Sequence, residues 1–215
     1  MKQYQSSDGQ IWNFPDCEEH FIMMLGLDPE YQIRVKSFIL SYAHLFDFTH
    51  VLDIGANVGL WTKWFNKIGA KRIDCFEPMP ANYECLVANT QELTNVDLHN
   101  TALSDVAGNI TLYTTPSNSN TGSATMFSAG SLTVPHIVNC ETLDSFNLSP
   151  TFIKIDIQGA ELLAFKGGVE TLMRSKPGLI VECENGNIQS VAFLQKLGYK
   201  LLGKCKHDYL LKFYT

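Results

Sequence analysis

Asp53, Gly55, Asn57 and Gly59 fall within seven positions of one another in VLDIGANVGLWTKW (51–64), and Glu77 follows 22 residues after Gly55. An apolar run that meets glycine and continues at helical spacing reads as strand, tight turn and helix. Such a turn offers backbone N–H groups and a helix N-terminus to a ligand. A second group lies in FIKIDIQGAELLAFKGG (152–168), where Asp156 closes another apolar run. In open α/β sheets ligands sit beyond the carboxyl ends of the strands, so both groups face one cleft.

The first group discriminates between ligands. A pyrophosphate asks for G-x-G-x-x-G and an unopposed positive helix end, whereas this turn lacks one glycine and has a carboxylate, Asp53, in the strand before it. S-adenosylmethionine has no phosphate and carries a sulfonium and an ammonium, for which Asp53 is an asset. Asn57 still suits the turn, because asparagine tolerates positive φ better than other non-glycine residues. Glu77, ending RIDCFEP, would accept hydrogen bonds from ribose hydroxyls in either cofactor class. The plainer reading is that Asp53 and Glu77 only cap neighbouring helices.

Asp156 is placed to take a proton from a substrate hydroxyl, to bind hydroxyls, or to hold the methionine end of the cofactor. Glu182, His207 and His136 are further candidate bases; both histidines also read as ordinary surface side chains. Glu161 suits the first turn of a helix through the dipole. Asp156 with Glu182, Glu184 and Asn185 would make an oxygen-rich site for Mg²⁺, but Asp156 acting without metal is favoured. No Asp/Asn-Pro-Pro-Tyr/Phe segment follows the 152–156 run, which favours oxygen over nitrogen as the group acted on.

These residues need strands to hold them. Asp28-Pro29 predicts the start of a helix over about 29–46, with Val35, Phe38, Ile39 and Tyr42 on one face. Strands are then expected at 49–55, 72–78, 97–104, 151–159 and 177–184, with helices at about 60–68, 81–92, after Gly159, and 188–197. YKLLGKC-KHD-YLLKFYT closes the chain as a hairpin. Alternating strands and helices predict a Rossmann-like α/β sandwich around a mostly parallel sheet, with an antiparallel hairpin at its end. The polar stretch 114–131 interrupts this rhythm and reads as a lid.

With 215 residues, 45% hydrophobic and 18% charged, the chain suits one domain: a helical cap over 1–48 and the sheet domain over 49–215. A net charge of −6 with no basic run disfavours nucleic acid as a partner. No apolar stretch is long enough to span a membrane, and nothing near the first methionine resembles a signal peptide. Six cysteines without a C-x-x-C pair read as reduced thiols, so the expected location is cytoplasmic.

DIGANVGLWT, CFEP, TALSDVAGNITLY, CETLDSF and FIKIDIQGAE, in this order, resemble the FkbM family of S-adenosylmethionine-dependent methyltransferases over about residues 49–184. The resemblance implies the class I methyltransferase fold, with a seven-stranded sheet, and O-methylation of a hydroxyl on a sugar, glycan or natural-product-like small molecule. It assigns Asp53, Gly55, Ala56, Asn57, Gly59, Glu77 and Pro78 to the cofactor. Ala102, Leu103, Ser104 and Asp105 would line the adenine pocket, and Asp156 stands in the K-I-D-x-x-G-A-E motif. Gln158 departs from it, standing where the family usually has Glu. The other readings of the same sheet are an NAD-dependent oxidoreductase and a non-catalytic module that binds S-adenosylmethionine or a glycan.

Overall fold

The chain opens with an antiparallel hairpin that its pattern does not announce, β1 (Lys2–Gln5) and β2 (Ile11–Phe14). Its turn is built by the Asp8 carboxylate, which accepts the Gln10 N–H, and by Gly9 at φ 86°. Two helices follow, α1 (His20–Leu27) and α2 (Ile33–Ser41). The helix expected over 29–46 is therefore shorter at both ends. Asp28 accepts the Ile33 N–H at 3.0 Å but ends α1 and is not the N-cap of α2: Tyr31 and Gln32 have left-handed backbone, delay the start and make Gln32 the N-cap. Beyond Tyr42 the chain tightens into a 3₁₀ turn, Ala43–Leu45. This computed structural model describes residues 1–117, 119–128, 130, 133–183 and 188–214.

Strands and helices then alternate: β3 (His50–Ile54), α3 (Leu60–Lys67), β4 (Arg72–Phe76), α4 (Pro80–Thr90), β5 (Val96–His99), β6 (Ala102–Leu103), β7 (Gly108–Thr114), β8 (Val134–Glu141) and β9 (Phe152–Ile155). They continue as α5 (Glu161–Lys166), α6 (Val169–Ser175), β10 (Gly178–Glu182), α7 (Gln189–Lys196), β11 (Tyr199–Cys205) and β12 (Asp208–Phe213). Two expected elements are divided. The run 97–104 splits at Asn100, whose amide donates to the Glu77 and Pro78 carbonyls. The helix after Gly159 breaks at Gly167, where a Cβ would stand 2.0 Å from the Ser104 carbonyl oxygen.

Seven strands form the main sheet in the order β11-β12-β10-β9-β3-β4-β5. All its pairs are parallel except β10–β12 and β11–β12, the closing hairpin. This is the expected Rossmann-like architecture. Val51, Leu52, Asp53 and Ile54 are all buried, and their faces alternate: Val51 packs among Trp61, Phe65 and Ile73, Leu52 among Ile153, Phe165 and Leu172. A strand covered on both faces has no solvent side, which is why the sheet's central runs read as continuously apolar.

A three-stranded sheet, β6-β8-β7, stands beside the main one, with Leu112, Val138 and Met79 in its core. The N-terminal hairpin and α1 pack through Trp12, Phe14, Phe21 and Leu25 onto Val58 and Leu60. Asn89 fastens them there: its amide donates to the Asn13 and Val58 carbonyls and accepts the Asn13 N–H. None of the six cysteines is in a disulfide. Among the described residues no helix is long and apolar enough to cross a membrane.

Candidate active site

Strand order reverses between β3 and β9, and a cavity of about 240 Å³ opens over their carboxyl ends. The two turns touch there. Gly55 has φ 79°, and a Cβ on it would lie 1.9 Å from the Asp156 carbonyl oxygen, so only glycine allows the approach. Asn57 takes the left-handed conformation expected of it, at φ 51°. Its N–H donates to Glu77 Oε2 at 2.9 Å, while Glu77 Oε1 accepts the Met79 N–H at 2.9 Å. Burial pushes the Glu77 pKa up to about 7, opposed by those two N–H donors. Gly55, Ala56, Asn57, Glu77 and Pro78 all line the cavity, whereas Gly59 lies behind it and starts α3.

Asp53 is not on the cavity wall. Its carboxylate is fully buried, with Oδ2 accepting from Thr62 Oγ1 at 2.7 Å and Oδ1 standing 3.5 Å from Lys154 Nζ. The cation that balances Asp53 in this structure is thus a side chain of the protein, because a sealed carboxylate needs a charged partner. Lys154 itself lines the cavity, donates to the Gly55 carbonyl at 3.1 Å and lies 3.9 Å from Asp156 Oδ2. The sequence signal for it was a lysine inside the apolar run FIKI.

Asp156 and Glu182 line the same end of the cavity. Asp156 Oδ1 accepts from Gln158 Nε2 at 2.9 Å. Burial first, then the charge of Asp156 and a hydrogen bond with it, hold the Glu182 carboxyl well above the ordinary range. Asp208, opposite Glu182 in the β10–β12 register, is pushed up to about 7 by burial and by Asp156. Glu161 is a structural residue: its carboxylate accepts the Ile157 and Gly159 N–H groups.

Other candidates fall elsewhere. His207 is exposed in the turn between β11 and β12, because the strands leading to it end there, and it does not reach the cavity. His136 stands in β8 against Thr114 Oγ1, 3.0 Å away. Ala102 and Leu103 line the cavity, but Ser104 and Asp105 lie outside it, where the Ser104 carbonyl packs against Gly167. Glu184 and Asn185 fall outside the described residues. Among the described residues no three His, Cys, Asp or Glu side chains are grouped to hold a metal ion.

The roof is built by sequence-distant segments. Glu18, fully buried, accepts the Thr121 N–H and hydroxyl at 2.8 and 2.7 Å and the Phe21 N–H at 2.6 Å. Asn82 donates to the Thr121 carbonyl, and a Cβ on Gly122 would lie 2.8 Å from the Phe21 ring. Phe21, Tyr31 and Thr121 therefore cover the cavity, with Met126 also on its wall. Of the stretch expected to act as a lid, Asn120, Thr121, Gly122, Ala124 and Met126 line the cavity; the residues they meet from the N-terminal segment carry no sequence signal.

Residues 53–201 match the family model described as the methyltransferase FkbM domain. The chain belongs to the FkbM methyltransferase family. No curated protein matches it. Among solved structures it is similar to the FkbM methyltransferase of Methylobacillus flagellatus KT, at 18% identity and a TM-score of 0.54. That likeness covers 77% of this chain and 43% of the other, so this FkbM chain spans less than half the length of that relative. The yhhF protein of Escherichia coli, described as a methyltransferase, matches over 100% of both chains at 13% identity and a TM-score of 0.52. Both likenesses speak to the fold, the Rossmann-like one shared by S-adenosylmethionine-dependent methyltransferases.

Proposed function

We infer that this FkbM protein transfers a methyl group from S-adenosylmethionine to a hydroxyl of a sugar, glycan or similar small molecule. The observation that carries the reading is the cavity at the β3–β9 reversal, lined by the Gly55–Asn57 turn and Glu77 and, against Gly55, by Asp156 and Glu182.

The residues present fit the cofactor. Asn57, on the cavity wall, has a buried Oδ1 without a hydrogen-bond donor among the described residues, which suits a ligand bearing N–H or O–H groups. Leu103, Ile110, Leu112 and Met126 give the cavity an apolar slot of the kind a flat base requires. Gly55, Ala56 and Asn57 would hold the methionine side, and Glu77 with Pro78 the ribose. When bound, S-adenosylmethionine supplies an electrophilic methyl group on its sulfonium.

The protein's own part is positioning and proton handling. Methyl transfer is an in-line displacement, so the acceptor oxygen must be held behind the methyl carbon in near-attack geometry. Asp156 is the group to receive the hydroxyl proton, and Glu182, kept protonated beside it, leaves that carboxylate as the base. Lys154 stands beside Asp156, so the negative charge there is partly balanced by one buried cation.

The test is Asp156→Asn. It should leave thermal stabilisation by S-adenosylhomocysteine intact and lower turnover by about a hundredfold, the usual contribution of a general base. Unchanged turnover would remove Asp156 from the chemistry.

A further inference from the structure

Tyr31 and Gln32 are consecutive non-glycine residues with left-handed backbone, φ 45° and 54°. L-residues adopt this conformation singly and reluctantly, so two in succession require the surroundings to impose it. The surroundings do so from several sides. Asp28 accepts the Ile33 N–H just beyond the pair. The buried Lys36 ammonium donates to the Glu30 carbonyl just before it and lies over the Tyr31 and Trp61 rings, 6.0 and 5.3 Å from their centroids. Trp61 Nε1 donates to Gln32 Oε1 at 2.9 Å.

The product of this strain is the location of one side chain. Tyr31 reaches the cavity wall and packs against Phe21, ring centroids 5.4 Å apart. Its hydroxyl accepts from Gln32 Nε2 at 3.3 Å, and among the described residues its own O–H has no acceptor. Burial, then the charges of Asp156, Glu182, Asp208 and Glu18, keep the phenol protonated well above the ordinary tyrosine range. Tyr31 is therefore a donor in a cavity that Asp156 and Glu182 also line.

We propose that Tyr31 is the acceptor-recognising residue: its O–H donates to an oxygen of a neutral, hydroxyl-bearing ring lying against Phe21 and Tyr31, with the reacting hydroxyl directed to Asp156. The proposal rests on the methyl-transfer reading above and adds the class of acceptor. The acceptor is neutral because Lys154 is already engaged by Asp53, which leaves the Asp156 carboxylate beside it to repel an anion. A phosphate or carboxylate on the ring would meet like charge in a confined site.

The experiment follows label from S-adenosylmethionine to methyl hexopyranosides and to their 6-phosphates and uronates, with S-adenosylhomocysteine thermal shift measured in parallel. The wild type should prefer the neutral glycoside by at least about tenfold in kcat/KM, and Tyr31→Phe should raise the acceptor KM about tenfold with little change in kcat, as expected for one lost hydrogen bond. Lys36→Met, which frees the strained turn, should raise the acceptor KM in the same direction. Both variants should keep the wild-type thermal shift. A wild-type acceptor KM in Tyr31→Phe, preference for the anionic glycosides, or no transfer to any neutral glycoside while the thermal shift persists would overturn the proposal and leave the cofactor reading standing. Absence of the shift in the wild type would remove that reading and this one with it.

Discussion

Lys154 and Asp53 occupy partner positions in the adjacent parallel strands β9 and β3, with 3.5 Å between Nζ and Oδ1 and both side chains buried. The contact is an ion pair without a hydrogen bond, since Lys154 directs its hydrogen bond to the Gly55 carbonyl and Asp53 Oδ1 is left with no donor. One lysine thus ties the buried acid, the glycine turn and, through Asp156, the acidic end of the cavity. It holds the two halves of the site in register.

Lys154→Met should destabilise the protein by about 3–5 kcal/mol, because breaking a buried pair leaves an uncompensated charge. Adding Asp53→Asn should recover much of that loss. Urea unfolding of the two single variants and the double variant measures the coupling, and a Lys154→Met protein within about 1 kcal/mol of wild type would contradict the pairing.

The acidic end makes stability fall as pH rises. Glu182 and Asp208 have folded-state pKa values raised by burial and by Asp156, so the unfolded chain releases their protons first. Between the ordinary carboxylate range, about 4, and the value of about 7 for Asp208, the folded state binds more protons and loses stability with increasing pH. Glu182→Gln and Asp208→Asn should each flatten this limb in thermal unfolding from pH 5 to 8. A wild-type profile that rises over that interval would be the contrary result.

Asp74 has the opposite sign. Burial alone would raise its pKa, but hydrogen bonds from His50 and His99 and the Arg72 guanidinium outweigh it and hold the carboxyl far below its usual range. The resulting stability is present above the unfolded pKa and lost as pH falls below it. Asp74→Asn should therefore be less stable than wild type at pH 7 and lose less on acidification below pH 4, measured by unfolding midpoints from pH 2 to 7. Equal acid sensitivity in the two proteins would show that Asp74 does not carry this limb.

The legible parts of this molecule were those written locally. β3, β4, β9 and β10 follow from short apolar runs, and the turn at Asn57 from a residue type that accepts positive φ. Asp53 and Asp156 are visible in the sequence, but their settings depend on strand register. That Asp53 faces Lys154, and Glu182 faces Asp208, is decided by sheet pairing between distant segments. The roof escaped for the same reason, since Glu18 and Thr121 meet only in the folded chain. The start of α2 lies beyond Asp28-Pro29, with Gln32 as N-cap, because tertiary contacts from Lys36 and Trp61 impose the two left-handed residues that delay the helix.

The central claim is that the cavity over Gly55, Asn57 and Glu77 takes S-adenosylmethionine and not a dinucleotide. The most direct measurement is calorimetric titration of the wild-type protein with S-adenosylhomocysteine and with NAD under the same conditions. The account predicts saturable one-to-one binding of S-adenosylhomocysteine and no measurable heat of binding with NAD. Saturable binding of NAD with none of S-adenosylhomocysteine would contradict it.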